Sequence, residues 1–161
     1  MAEEKITNIS LSKKKCFSID SDYNRLIYLD TSDMNVLVRL EEVYQSINEL
    51  AQEAVAKISA IPDDKDDGEQ LSDLAQVLKE IDAKMREKID YIFDDKVSDA
   101  CVPKGNMYDP YEGGFRFEHV VSTLTGLYAN DIADGFKKMQ DNVKKHTAKY
   151  TKSSASKRNR K

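Results

Sequence analysis

The chain has 161 residues, of which 34% are charged and 8% aromatic, with no Trp and a net charge of −4. That length holds one domain with appendages, and no apolar run approaches the roughly 20 residues needed to span a bilayer. The start, Met1-Ala-Glu-Glu-Lys-Ile6, lacks a basic stretch leading into an apolar one, so no signal peptide is expected; two cysteines, Cys16 and Cys101, make no disulfide framework.

The charge is unevenly spread. From Lys144 onward there are eight Lys and Arg and no Asp or Glu, whereas the preceding 143 residues hold 17 basic against 29 acidic. An acidic body of this kind repels nucleic acid and anionic membranes, and only the basic tail attracts them.

Residues 1–14 are polar and expected to be flexible. Cys16–Ile19 and Leu26–Leu29 are short runs rich in aromatic and β-branched residues, separated by the turn formers Asp20–Asn24. They predict a small β-hairpin within 15–30. Two strands alone are marginal, so the hairpin must lean on helices or on another subunit.

Thr31-Ser32-Asp33 offers N-capping oxygens to a helix over 34–61, about 40 Å long at about 1.5 Å per residue. Its apolar residues Leu37, Leu40, Tyr44, Ile47, Ala51, Ala54, Ile58 and Ile61 alternate spacings of three and four. That is a heptad seam, which requires something to pack against. Val36, Val43, Leu50 and Val55 flank it and widen the apolar face.

Pro62 stops this helix. In the acidic connector Asp63–Gly68, Lys65 stands at the third position of a would-be calcium loop and Leu74 at the twelfth, so the EF-hand pattern fails. A second helix over 69–101 carries Leu71, Leu74, Leu78, Ile81 and Met85, and then shifts face to Ile89, Ile92 and Phe93. The two helices are expected to fold back on each other as a long antiparallel hairpin.

Residues 102–115 read as a loop, with Pro103, Gly105, Asn106, Pro110, Gly113 and Gly114 as breakers. Helices follow over 116–150: Phe117, Val120, Val121, Leu124, Leu127 and Tyr128 share one side, and Ile132, Phe136, Met139 and Val143 come next. Gly126 or Asn130-Asp131 is expected to kink or divide this stretch. Residues 151–161 lack apolar periodicity and are expected to form a disordered basic tail. The fold class is mainly α: a long helical hairpin plus C-terminal helices, with a small N-terminal β-hairpin, all in one domain over 15–150.

Chemistry is hard to find in this chain. His119 has no second ligand at zinc spacing, His146 lies among lysines, and no nucleophile elbow or phosphate loop occurs. Asp94 and Asp95 are adjacent and would face different ways on a helix. No catalytic, cofactor-binding or metal-binding residue is assigned, no cofactor is expected, and the chain is read as a non-enzyme. The apolar stripes either form the domain's own core or meet a partner helix. Leu37, Leu40, Tyr44, Ile47, Leu74, Leu78, Ile81 and Phe93 are the candidate partner-binding residues.

One further pattern spans residues 15 to 152. A short β-like pair and a long helix come first. A helix ending Asp90-Tyr-Ile-Phe93 then leads into Asp94-Asp-Lys-Val-Ser98. A loop with Gly105, Asn106, Tyr108, Pro110 and Gly113 follows, then the apolar helix Phe117–Tyr128 and a charged helix ending Lys149-Tyr-Thr-Lys152. This order resembles the tail assembly chaperones, small proteins encoded near the tape-measure gene of long-tailed bacterial viruses and prophages.

The resemblance implies a protein of the bacterial host cytoplasm. It would coat hydrophobic helical stretches of the tape-measure protein, recruit tail-tube subunits and self-associate. Two other roles fit the same composition: a structural tail or neck component of the virion, and a binder of nucleic acid or a host factor through the basic tail. The acidic body argues against nucleic acid as the main partner.

Overall fold

The computed structural model describes residues 6–11 and 13–158, with side-chain surroundings through Lys149. Residues 6–11 are exposed and lie outside any strand or helix. The order is β1 (Lys15–Ile19), β2 (Asp22–Leu29), α1 (Asn35–Ser59), α2 (Asp67–Phe93), α3 (Ser98–Cys101), β3 (Pro110–Tyr111), β4 (Gly114–Phe115) and α4 (Arg116–Arg158). The fold is mainly α, with an N-terminal two-stranded antiparallel hairpin.

β1 and β2 pair with Cys16 opposite Tyr28 and Phe17 opposite Ile27. The turn is tighter than the five residues expected. Asp20 and Ser21 alone turn the chain, both at positive φ (52° and 59°), and Asp22–Asn24 belong to β2. Positive φ at both central positions gives the backbone twist that matches paired strands. The hairpin is held by what it leans on: Ile27 and Leu29 are fully buried. Arg25 donates from Nε to the Ala100 carbonyl (2.7 Å) and from Nη2 to the Cys101 carbonyl (2.9 Å), at the C-terminal end of α3.

The N-cap of α1 is Met34, which carries no side-chain cap, and of the three expected capping residues only Asp33 bonds a backbone N–H of the helix. Asp33 Oδ1 accepts the Asn35 N–H at 2.9 Å, while its Oδ2 pairs with Arg39 Nη2 at 2.9 Å. Arg39 also donates from Nε to the Ile92 carbonyl at 2.8 Å, satisfying an acceptor that the end of α2 leaves without an intrahelical partner. Thr31 is buried and donates its hydroxyl to the Asp131 carboxylate. Asp66 caps α2 by accepting the Gly68 and Glu69 N–H groups.

α2 ends at Phe93, eight residues before the expected 101. Asp94 takes the left-handed conformation (φ 50°, ψ 40°), and its N–H reaches the Asp90 and Tyr91 carbonyls. Aspartate tolerates this region better than most side chains do. Asp90 Oδ1 then accepts the N–H groups of Val97 (3.0 Å) and Ser98 (2.8 Å), which starts α3 in a new direction.

The following loop is pinned from α2. Asp82 Oδ1 accepts the Met107 N–H at 2.7 Å, and Asp82 Oδ2 pairs with Arg86 Nε at 2.8 Å. Arg86 further donates to the carbonyls of Val102 (2.9 Å) and Gly105 (3.1 Å) and pairs with Asp99 (3.0 Å). Gly105 sits at φ 105°, where a Cβ would fall 2.7 Å from the Asp109 carboxylate. The β3–β4 pair, not foreseen from sequence, closes through Glu112 (φ 46°) and Gly113 (φ 83°).

α4 is one continuous helix. Gly126 lies inside it at a cost of about 1 kcal/mol relative to Ala, which packing outweighs. Asp131 stays helical while its carboxylate holds Lys15 and Thr31. Beyond Gly135 the sequence has neither Gly nor Pro to end the helix, and the backbone stays helical to Arg158, past the boundary expected at 150. Of the expected disordered tail, residues 159–161 lie outside the described residues.

The core runs from Val36, Val43 and Leu50 on α1 through Val77, Ile81, Met85, Ile89, Ile92 and Phe93 on α2. It continues to Phe117, Val120, Leu124 and Tyr128 on α4. The Phe93 and Tyr128 rings meet with centroids 5.9 Å apart.

Candidate protein-binding surface

Side-chain pairs fix the relation of α1 to α2. Glu42 meets Tyr91 (2.5 Å), Ser46 meets Lys88 (2.9 Å), Glu53 meets Lys84 (2.5 Å), and Lys57 meets Glu80 (2.8 Å). Numbers fall on one helix as they rise on the other, so the helices are antiparallel. All four pairs lie along one seam of the hairpin and close that side with polar groups.

Lys84 and Lys57 hold the Glu53 carboxyl below the usual carboxylate range, and Glu80 with Glu53 holds the Lys57 ammonium above its usual value. The Glu53 contribution is therefore present above the unfolded carboxylate range and lost as pH falls through the lowered value. The Lys57 contribution is present below 10.5 and lost as pH rises through the raised value. Both groups face solvent, so this ladder sets register more than stability.

The opposite seam is different. At 3.6 residues per turn, Leu37, Tyr44, Ala51 and Ile58 lie on the far flank of Val43 and Leu50 from Glu42, Ser46 and Glu53. These four are exposed, Tyr44 by 64% and Ile58 by 40%. Leu40, Ile47 and Ala54 lie between the two flanks and are half-buried. α1 thus carries two heptad seams that share a middle row; α2 covers one, and the other is open.

On α2 the same flank holds Leu71 and Leu78, both exposed. Farther along it, Asp82, Arg86 and Phe93 lie under the loop and α4. The cover ends at Leu78, whose carbonyl accepts the Asn106 Nδ2–H at 3.3 Å. From there to the connector the flank is open. A hollow of about 390 Å³ lies at that end, lined by Ile58, Ile61, Leu71 and Leu74 with Asp63 and Asp67.

The candidate residues accordingly separate. Leu37, Tyr44 and Leu78 are surface, and Leu40, Ile47 and Leu74 are half-buried beneath them. Ile81 and Phe93 are corrected to core: only 3% and 2% exposed, they face α1 and Tyr128 and offer nothing to a partner. Ile58 and Leu71, which stand in the helical rows but not among the candidate residues, belong to the same exposed flank. Their positions in the heptad carried the signal, but which seam α2 takes cannot be read from α1 alone.

A second apolar surface lies on α4. Every residue from 133 to 149 is exposed. Phe136, Met139 and Val143 continue the Ile132 row at spacings of four, three and four, and they stand 47%, 62% and 63% exposed.

Another cavity, about 360 Å³, lies between the β1–β2 turn and α4, with Arg25, Cys101, Tyr111, Arg116 and His119 among the residues in its walls. Arg25 is spent on the α3 carbonyls and Asp20. His119 meets the Tyr111 ring at a tilt of 42° (centroids 4.6 Å apart), with its Nδ1 3.9 Å from Glu112. Among the described residues no group of three His, Cys, Asp or Glu could hold a metal ion, and no helix is long and apolar enough to cross a membrane.

Both cysteines are free thiols, Cys16 exposed and Cys101 half-buried. Burial pushes the Cys101 thiol from 9 up to about 11, outweighing the nearby Arg25. Since the thiolate is the nucleophile, an aromatic disulfide reagent at pH 8 should modify Cys16 in the native protein and Cys101 only after unfolding. Equal native rates would contradict this. The raised value also contributes stability below pH 9 that is lost as pH rises through about 11.

No family model, curated protein or solved structure matches the chain.

Proposed function

We propose that the protein is a non-enzymatic binding factor in phage tail assembly, which chaperones hydrophobic helical segments of the tape-measure protein and recruits tail-tube subunits. The observation that carries this reading is the open seam of α1 and α2. An exposed apolar row at helical spacing, with aspartates at one end, is the kind of surface an amphipathic helix docks on. The resemblance of the segment order to that of tail assembly chaperones is the ground for naming the tape-measure protein as the partner. One such groove binds modestly, and many copies along a long helical target gain avidity.

The test is co-expression with an apolar helical fragment of the tape-measure protein. The wild-type chain should raise the soluble yield of the fragment several-fold. The Tyr44→Glu/Ile58→Glu variant should not, although it melts like wild type. Unchanged precipitation with wild type would contradict the proposal. Mass spectrometry of purified particles separates a chaperone, which leaves the finished tail, from a structural tail or neck component.

The run of eight basic residues after Asn142 favours one further reading, contact with nucleic acid through the tail. That binding would fall steeply with salt and vanish on truncation after Lys149.

A further inference from the structure

The exposed arm of α4 and the open groove are complementary in length, pattern and charge. From Ile132 to Val143 the arm's apolar row is about 17 Å long, and from Tyr44 to Ile58 the groove runs about 21 Å. Both repeat at alternating threes and fours, the pattern in which the side chains of one helix seat between those of another.

Over 132–149 the arm carries five lysines against Asp134 and Asp141, whereas residues 34–93 hold fourteen acidic residues against seven basic. The lysines gather toward the arm's tip at Lys144, Lys145 and Lys149, and the acids gather at the groove's outer end at Asp63, Asp64, Asp66 and Asp67.

An arm cannot reach the groove of its own chain while α4 stays helical. Asp82 holds Met107, whose carbonyl accepts the Phe117 N–H (2.9 Å) at the start of α4; farther on, Phe93 meets Tyr128. α4 therefore runs parallel to the second half of α2 and leaves the body beside Thr31 and Lys15. The groove opens toward the connector, at the other end of the hairpin.

We infer that the arm of one copy lies in the α1–α2 groove of a second copy, parallel to α1, with Lys144 and Lys145 against Asp63 and Asp67. Pairing of two arms is disfavoured, because it brings five lysines against five. Arm and groove are different surfaces, so each docking leaves another arm and another groove open for further copies. The inference rests on the groove reading above and deepens it: a second copy occupies the groove until a target helix displaces it, so self-association and target capture compete.

Sedimentation velocity on the full chain tests this. Wild type should sediment well above its 18.3 kDa monomer mass at low salt and approach the monomer as salt rises. An arm variant, Phe136→Glu/Met139→Glu, and a groove variant, Tyr44→Glu/Ile58→Glu, should each be monomeric. Their mixture should form a one-to-one complex, because one supplies an intact groove and the other an intact arm.

All four positions are exposed, so both variants should melt as wild type does; Phe136→Ser and Tyr44→Ser serve where a pair of glutamates disturbs folding. A monomeric wild type, a mixture that stays monomeric, or a groove variant that still self-associates would each overturn the inference. If the mixture fails while co-expression succeeds, only the second copy is lost as occupant. The reverse outcome would remove the tape-measure reading and leave this contact standing.

Discussion

Phe93→Ala should destabilise the protein by about 3–5 kcal/mol and lower its melting temperature by about 10 °C. The ring is buried, meets Tyr128 at 5.9 Å, and joins the hairpin to α4 just where α2 ends. Deleting it removes apolar burial and leaves a cavity that the left-handed Asp94 next to it hinders from collapsing. Binding per folded molecule should be unchanged, since the side chain reaches no surface. Thermal melting with a solubility assay on the same sample separates the two effects. A variant that melts normally but fails to bind would place Phe93 on the interface after all.

Arg86→Leu should be the other large loss, about 3 kcal/mol. Its guanidinium satisfies the Val102 and Gly105 carbonyls and balances the half-buried Asp82, whose second oxygen holds Met107. Leucine keeps much of the bulk but leaves those acceptors without donors and Asp82 without its counter-charge. The loop from Val102 to Met107 then loosens from α2, so its amides should exchange hydrogen faster than those of α1. The double change Arg86→Leu/Asp82→Leu should recover part of the loss, because the uncompensated charge is gone. No recovery would mean that the bonds to the loop, rather than the ion pair, hold the fold.

Much of the architecture was legible because it rests on local signals. Aromatic and β-branched runs on either side of Asp20–Asn24 marked the hairpin, Pro62 ended α1, and the rows from Leu37 and Leu71 marked two long helices. What could not be read was which of two overlapping rows faces inward. Leu40, Ile47 and Ala54 serve both, and the choice is made by the pairs Glu53–Lys84 and Glu42–Tyr91, which exist only once the helices meet.

The end of α2 was misplaced because Asp94 acts through its backbone conformation, and Asp90 acts on residues seven and eight positions later. Gly126 and Asn130-Asp131 suggested a break that tertiary contacts at Tyr128 and Asp131 override. The β3–β4 pair has strands of two residues, too short for any alternation to show. For the candidate surface, periodicity marked the two helices that carry it but not which side chains stay exposed. Ile81 and Phe93 went to the core, and Ile58 and Leu71 replaced them at the surface.

The most direct test of the central claim, that the flank of α1 facing away from the polar ladder exists for contact with protein, is one paired measurement on Tyr44→Glu/Ile58→Glu. Its melting temperature should match wild type within about 2 °C, as exposed substitutions cost about 0.5 kcal/mol or less, while solubilisation of the helical fragment and self-association are both lost. A melting temperature lowered by 10 °C or so would make this flank part of the core, and undiminished association would place the contact elsewhere; either result contradicts the account.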